Sequence, residues 1–562
     1  MTRSTSWLTS SPPAPSSLST LVSTLTARAA EAPQRPALTF IERGGEQTIT
    51  RGEFLRSAQA YSGRLAAAGL GAGDLVVLVL QHSLDLVYAF WGAALIGAVP
   101  SIFPFLTEKL DPDLYRQRIK TLVEHSGAKV VITYPEFYDS LRELLAGLDC
   151  AVLSVAQAAE SSLPTAPAID PDAIALLQHS SGSTGLQKGV ALSHRAVLRQ
   201  VEAYGKAIQL DPHTDVIVSW LPLYHDMGLI AGFVIPILTG THLVLMSPFE
   251  WVRQPTSLLE AIDRHRGTLC WLPNFAYKLI ARSVRPGAEF DLTSWRGVIN
   301  CSEPVYDESH QIFAEKLAPF GFSANALGVS YAMAENTFAV THTAMGQPPR
   351  VDVVEIGALQ ERGEAIPAAE GKRVVSCGAP IESVELGIFD AQRNLLAERR
   401  VGEIGLRSEF MLSGYYKRPD LSAEAITADG WYLTGDMGYL ADGDLYISGR
   451  KKDLLIVGGK NIYPQDLEDI ANRTAGVYPG RAVAFGVLDE RLGSEKVVII
   501  CETQEGADLA AAEQELRAKV VQETEVTVGD LRFVPRGWIL KTSSGKHART
   551  DNREKYLREF EG

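Results

Sequence analysis

The chain is poor in cysteine and carries no surplus of positive charge. Its five cysteines, Cys150, Cys270, Cys301, Cys377 and Cys501, are scattered with no Cys-x-x-Cys pair. That argues against a disulfide framework or a thiolate zinc site and fits a reducing cytoplasm. Lysine and arginine number 53 against 67 aspartates and glutamates, a net charge of −14, so the protein as a whole has no electrostatic reason to seek nucleic acid or an anionic membrane. The N-terminus is rich in Ser, Thr and Pro; it lacks the apolar run of a secretory signal and reads as a loose arm. One stretch without Lys, Arg, Asp or Glu, Met227 to Phe249, is long enough to raise the question of a membrane span. Pro236 and the Thr239-Gly240-Thr241-His242 punctuation divide it into a buried helix, a turn and a strand from His242 to Met246, so no stable membrane insertion is expected.

What is there is a large apolar content. Hydrophobic residues make up 46% and charged residues 21% of the 562, and at about 150 residues per domain the length suggests roughly three to four structural units. After an arm and first helix (1–34), residues 35–340 alternate short β-branched runs (Leu75 to Leu80, Lys129 to Thr133, Val216 to Trp220) with helical patterns (Phe54 to Ala68, Arg195 to Ala207). That alternation predicts an α/β core of parallel sheets covered by helices. Residues 341–448 change to short strands with Gly and charged turns, a small β-barrel-like subdomain. Residues 449–562 return to a small α+β unit, with helices predicted over Asp508 to Gln522 and Asp551 to Phe560. Between Arg532 and Arg558 there are eight basic and two acidic residues, a local positive face in an acidic protein. An isolated charge run of this kind is more often a solvated surface than a site.

Ser180-Ser181-Gly182-Ser183-Thr184-Gly185-Leu186-Gln187-Lys188-Gly189 follows an apolar strand. Small residues let backbone N–H groups approach an anion, hydroxyls add donors and Lys188 adds charge, as a polyphosphate cradle requires. It is not a Walker loop, because Gln187 stands where the second glycine of G-x-x-x-x-G-K-[ST] is needed. Further motifs follow: Trp220-Leu221-Pro222-Leu223-Tyr224-His225-Asp226-Met227-Gly228, Tyr331-Ala332-Met333-Ala334-Glu335, Tyr432-Leu433-Thr434-Gly435-Asp436, Gly449-Arg450-Lys451-Lys452-Asp453 and Lys541-Thr542-Ser543-Ser544-Gly545-Lys546.

In this order these segments resemble the adenylate-forming superfamily of acyl-CoA synthetases, luciferases and peptide-synthetase adenylation domains, and in detail they are most similar to fatty acyl-AMP ligases. The resemblance implies ATP and Mg²⁺ as cofactors and a hydrophobic carboxylic acid as substrate, joined as acyl-AMP with release of pyrophosphate. It implies a thiol acceptor, either a phosphopantetheine-bearing carrier protein or CoA. It assigns the phosphates to Ser180, Ser181, Gly182, Ser183, Thr184, Gly185 and Lys188, Mg²⁺ to Glu335 with Thr184, adenine to Tyr331, and the ribose to Asp436 and Arg450. Lys546 is its catalytic cation, His225 lies beside the substrate carboxyl, and Lys452 is the hinge of a mobile C-terminal domain. The stretch 351–372 resembles the insertion that fatty acyl-AMP ligases carry, which implies restrained rotation of that domain and a disfavoured CoA.

Two departures affect the acid. Ala332 stands where relatives have Gly, and Cys301-Ser302 where fatty acyl-AMP ligases have Gly-Ala. Added side-chain atoms reduce pocket volume. With His225 and Asp226 these residues form the candidate acyl pocket. Amino-acid activation, with Asp226 facing an ammonium, and a non-catalytic adenylate-binding protein are the other readings.

Overall fold

Strands of β-branched residues and amphipathic helices alternate through the first 330 residues, and parallel pairing follows because each helix carries the chain back across a sheet face. The computed structural model describes residues 7–9, 19–106, 112–156, 168–179, 188–457, 460–489, 494–542 and 545–561. One seven-stranded sheet has the order Leu327–Val329, Gly297–Asn300, Leu269–Leu272, Val216–Ser219, His242–Met246, Pro36–Glu42 and Gly45–Thr50. All its pairings are parallel except the last. A second seven-stranded sheet places Ile174–His179 beside Val99–Ile102, with Gly189–Ser193 and Gly414–Tyr415 added antiparallel on its other side. Strands such as Leu75–Val79 are buried at every position, as expected of a sheet covered on both faces.

The charge-free stretch resolves into the helical segment Met227–Val234, wound in π geometry, the short helix Ile235–Thr239, a left-handed Gly240, and the strand His242–Met246. All these elements lie within the core. No helix among the described residues is long and apolar enough to cross a membrane.

The β-rich region is a five-stranded antiparallel sheet ordered Trp7–Thr9, Val384–Phe389, Gly402–Ser408, Tyr432–Ala441 and Asp444–Arg450. Part of the expected loose arm is therefore a strand. Trp7–Thr9 pairs in register with Glu385 to Gly387, covering a sheet edge that would otherwise offer unpaired backbone groups.

The stretch 351–372 begins a hairpin, Val351–Val354 against Lys372–Val375, with a helical turn Ala358–Arg362 at its end. It packs on the five-stranded sheet through Val354, Leu359, Tyr439 and Tyr446. The C-terminal unit sets helices Pro464–Asn472, Leu509–Thr524 and Arg549–Tyr556 around the strands Val477–Asp489, Ser494–Thr503 and Val528–Val534.

Candidate active site

The carboxyl ends of neighbouring parallel strands face one crevice, the position at which open α/β sheets bind ligands. Val216–Ser219 leads into Trp220 and the His225 segment, Gly297–Asn300 into Cys301 and Ser302, and Leu327–Val329 into Tyr331 and Glu335. Ile174–His179 leads into Ser180, Ser181, Gly182, Ser183, Thr184 and Gly185, which lie outside the described residues.

His225 and Asp226 sit where the loop turns into the helical segment Met227–Val234. The close packing of that segment requires glycine at 228, where a Cβ would meet the Pro222 carbonyl at 2.3 Å. His225 Nδ1 lies 2.6 Å from Asp226 Oδ1, which also accepts the Met227 N–H at 2.8 Å. Burial would raise the Asp226 carboxyl, but His225, Lys546 and that N–H outweigh it and hold it at about 2. Asp226 is therefore a matched carboxylate. Ser302 Oγ lies 3.9 Å from Met227 Sδ and 3.6 Å from Cys301 Sγ, so Cys301 and Ser302 adjoin the His225 segment. Burial, together with the Asp226 charge, pushes the Cys301 thiol up to about 12, so it acts as a small apolar group. Trp220, which precedes the His225 loop in sequence, stacks on Trp251 at 3.5 Å between ring centres, with Phe275 edge-on to both.

Glu335 lies on the single turn Ala334–Asn336. Its Oε1 accepts the Tyr415 hydroxyl at 3.0 Å, and Tyr415 shares a second hydrogen bond of 3.0 Å with the Tyr432 hydroxyl. Burial, reinforced by the Asp226 charge and opposed by the hydrogen bond from Tyr415, raises the Glu335 carboxyl above the usual carboxylate range. A buried carboxylate in that state gains from a cation. Among the described residues no cluster of three or more His, Cys, Asp or Glu side chains could cage a metal. One carboxylate is the protein share that Mg²⁺ needs when phosphate oxygens and water complete its shell, so Glu335 fits that ion. Lys188 is drawn to the same place, its Nζ 4.8 Å from the centre of the Tyr415 ring.

Asp436 and Arg450 are cross-strand partners in the five-stranded sheet. Arg450 Nε lies 3.2 Å from Asp436 Oδ1, and the Tyr331 hydroxyl donates to Asp436 Oδ2 at 2.7 Å. Tyr331 is only 7% exposed, so its hydroxyl orients the carboxylate while its ring remains in the core. Ala332 is bridged to Ala339 beside it. Lys452 stands on the turn Lys451–Asp453 that leads out of this sheet, and burial together with Arg450 lowers its ammonium.

Lys546 comes to the crevice from the C-terminal unit. Burial and the Arg450 charge lower its ammonium, while Asp226, Glu303 and Asp436 favour the charged form. The lysine is thus within electrostatic reach of carboxylates from three separate segments of the chain. Tyr432 opens a motif legible in the sequence but has no role assigned there, and Tyr415 and Glu303 are given none either. Tyr415 has no sequence signal near Glu335, being 80 residues away.

Comparison with known proteins agrees with this geometry. The sequence pattern of the AMP-binding enzyme family matches residues 25–416. The chain is 31% identical over 587 residues to a 4-hydroxyphenylalkanoate adenylyltransferase of Mycobacterium marinum, covering 96% of this chain and 91% of that one. It is 29% identical over 573 residues to the medium-chain-fatty-acid–[acyl-carrier-protein] ligase JamA of Moorena producens, covering 96% and 95%. A solved structure from a study of fatty acyl-adenylate ligases from E. coli and L. pneumophila superposes with a TM-score of 0.89 at 30% identity, covering 97% of this chain and 99% of that one. With its sheets, its strand-end crevice and this match over most of its length, the chain belongs to the AMP-binding enzyme family.

Proposed function

We propose that the protein activates a hydrophobic carboxylic acid with ATP, forming acyl-AMP and pyrophosphate, and then passes the acyl group to a phosphopantetheine thiol of a carrier protein. A carboxylate is a weak nucleophile, and it must approach an α-phosphorus surrounded by negative oxygens. The observation that supports the reading is that Lys546 lies within electrostatic reach of Asp226, Asp436 and Arg450. This proximity brings the C-terminal cation to one crevice with the residues that can hold a ribose and a carboxyl group.

In this reading Asp436, oriented by Tyr331 and Arg450, accepts the ribose hydroxyls, and the ring of Tyr331 borders the adenine. Lys188 and the hydroxyls of Ser180, Ser181, Ser183 and Thr184, with the backbone at Gly182 and Gly185, take the phosphates. His225 faces the substrate carboxyl. Lys546 offsets the charge that develops as the carboxyl oxygen attacks the α-phosphorus and the bond to pyrophosphate breaks. Glu335 and Thr184 would hold Mg²⁺, which when bound neutralises phosphate charge and assists departure of pyrophosphate. Lys452 is the pivot between the two half-reactions.

The acid is apolar in this proposal because the His225 loop follows directly on the aromatic cluster of Trp220, Trp251 and Phe275, and the relatives' names mention medium-chain fatty acids and 4-hydroxyphenylalkanoates. An amino acid is a poorer fit, since Asp226 is already matched by His225, the Met227 N–H and Lys546. A carrier thiol is favoured over CoA by two ion pairs joining the hairpin to the C-terminal unit, Lys372 with Asp466 at 2.6 Å and Glu361 with Lys460 at 3.5 Å. These would resist domain rotation. The test is hydroxylamine trapping with Mg·ATP and a panel of aliphatic, aryl-alkanoic and amino acids. Hydroxamate and stoichiometric pyrophosphate are expected with the first two classes. Failure with every acid would refute the proposal, and rapid CoA thioester formation would refute the choice of acceptor.

A further inference from the structure

Lys546 is held on a tight hairpin. The Thr542 N–H donates to the Lys546 carbonyl at 2.8 Å, the Lys546 N–H donates to Thr542 Oγ1 at 3.2 Å, and Lys541 bridges to His547. Three residues further on, Arg549 opens the helix Arg549–Tyr556. All three of its guanidinium nitrogens are engaged. Nη2 donates to both Glu468 oxygens at 2.9 Å, Nε to Glu468 Oε1 at 3.2 Å and the Ala484 carbonyl at 3.1 Å, and Nη1 to Asp453 Oδ2 at 2.6 Å. Glu468 also accepts the Ala484 N–H at 2.9 Å and faces His547 Nδ1 at 3.4 Å. Asp453 is the last residue of the turn Lys451–Asp453, next to Lys452. One guanidinium therefore joins the hinge turn to the base of the Lys546 hairpin, across 96 residues of sequence.

These are not solvated surface charges. The side chains of Arg549, Asp453 and Glu468 are 19%, 17% and 8% exposed. Buried ion pairs give little net stability over apolar packing, and their best-attested use is to fix a register. The planar fork of arginine suits this, because it holds two carboxylates at set angles where a lysine would act as a point charge.

We infer that Asp453, Arg549 and Glu468 are positioning residues: they lock the Lys546 hairpin to the hinge turn, so that rotation of the C-terminal unit carries Lys546 to the reacting centre as a rigid arm. This rests on the reading that Lys546 acts in adenylation.

The test is a double-mutant cycle in the full-length enzyme, read by pyrophosphate exchange with an acid that the parent accepts. Asp453→Asn keeps the side-chain size and leaves the Arg549–Glu468 pair intact, so its melting temperature should stay near that of the parent. We expect kcat for exchange to fall about 10- to 100-fold with KM for ATP within about twofold, because small misplacement of a reacting group is that costly. Asp453→Glu should recover part of the loss. In a Lys546→Ala background Asp453→Asn should cost nothing further. Arg549→Lys keeps the charge but loses the fork, so it should give the same kinetic pattern with a lower melting temperature, which keeps the inference testable if Asp453→Asn folds poorly. Full activity in both variants, a change confined to KM, or an undiminished loss in the Lys546→Ala background would overturn it. A parent that exchanges pyrophosphate with no acid would instead remove the functional reading, and this inference with it.

Discussion

The core and the C-terminal unit bring opposite charge to one crevice, and they do so by different means. The chain outside the C-terminal unit contributes Asp226 from a strand-end loop, Glu335 from a single turn and Asp436 from within the five-stranded sheet, each held by a neighbour: His225, Tyr415 and Tyr331. The C-terminal unit contributes Lys546 from a hairpin whose support lies elsewhere, in Arg549, Glu468 and Asp453. The carboxylate side is thus built into the sheets, while the cationic side comes from a separate unit, which in the proposed function turns about Lys452. A site divided in this way can complete itself for one reaction and open for the next.

Breaking the delivered side gives the largest expected effect. Lys546→Ala should lower acid-dependent pyrophosphate exchange by about 10²-fold or more, the usual cost of losing one preorganised charge donor, with an unchanged melting temperature. Near-parental exchange would remove Lys546 from the chemistry.

On the built-in side, Glu335→Gln should lower exchange by about 10²-fold at saturating ATP and raise the Mg²⁺ concentration needed. It should not destabilise the protein, because the amide oxygen can still accept the Tyr415 hydroxyl and a buried charge is removed. A fall in melting temperature with normal activity would show that Glu335 serves only the fold. Asp436→Ala should be milder in kcat and raise KM for ATP about tenfold, the worth of one charge-assisted hydrogen bond. It should also destabilise the protein by about 1–3 kcal/mol, since the buried Tyr331 hydroxyl loses its acceptor.

A pH experiment tests the ion cluster of the C-terminal unit by stability. Burial alone would raise the Glu468 carboxyl, but Arg549, His547 and the Ala484 N–H hold it at about 2 against 4.5 for a free glutamate. Because the folded value is the lower one, the stabilisation, about 3 kcal/mol by linkage, is complete above about pH 4.5 and is lost as pH falls towards 2. Thermal melts across that window should show the loss, and Glu468→Gln should reduce its slope while Asp226, also held at about 2, keeps its own share.

The smallest expected stability effect is at the hairpin contact. Lys372→Ala removes a partly exposed pair, 24% and 25%, and should cost under about 1 kcal/mol. Its sharper readout is the acceptor: CoA thioester formation should rise relative to carrier-protein loading if the contact restrains rotation.

Much of the scaffold was legible because periodicity and punctuation are local properties. The strand His242–Met246 and the helix Leu509–Thr524, capped by Asp508, follow directly from the order of residues. Trp7–Thr9 could not be read, because three residues carry no period and their pairing depends on the edge strand Val384–Phe389. The site divides in the same way. Lys546, Glu335 and Asp436 stand inside contiguous motifs. Tyr415, Arg549 and Glu468 act through partners about 80 positions away or within a fold-dependent cluster, which no sequence window contains.

The most direct measurement follows the oxygen. With an acid labelled in its carboxyl group with ¹⁸O, attack on the α-phosphorus places one labelled oxygen in the AMP released after transfer or hydrolysis, and none in pyrophosphate. The account predicts that result. Label in inorganic phosphate with ADP as the nucleotide product, or unlabelled AMP, would contradict it.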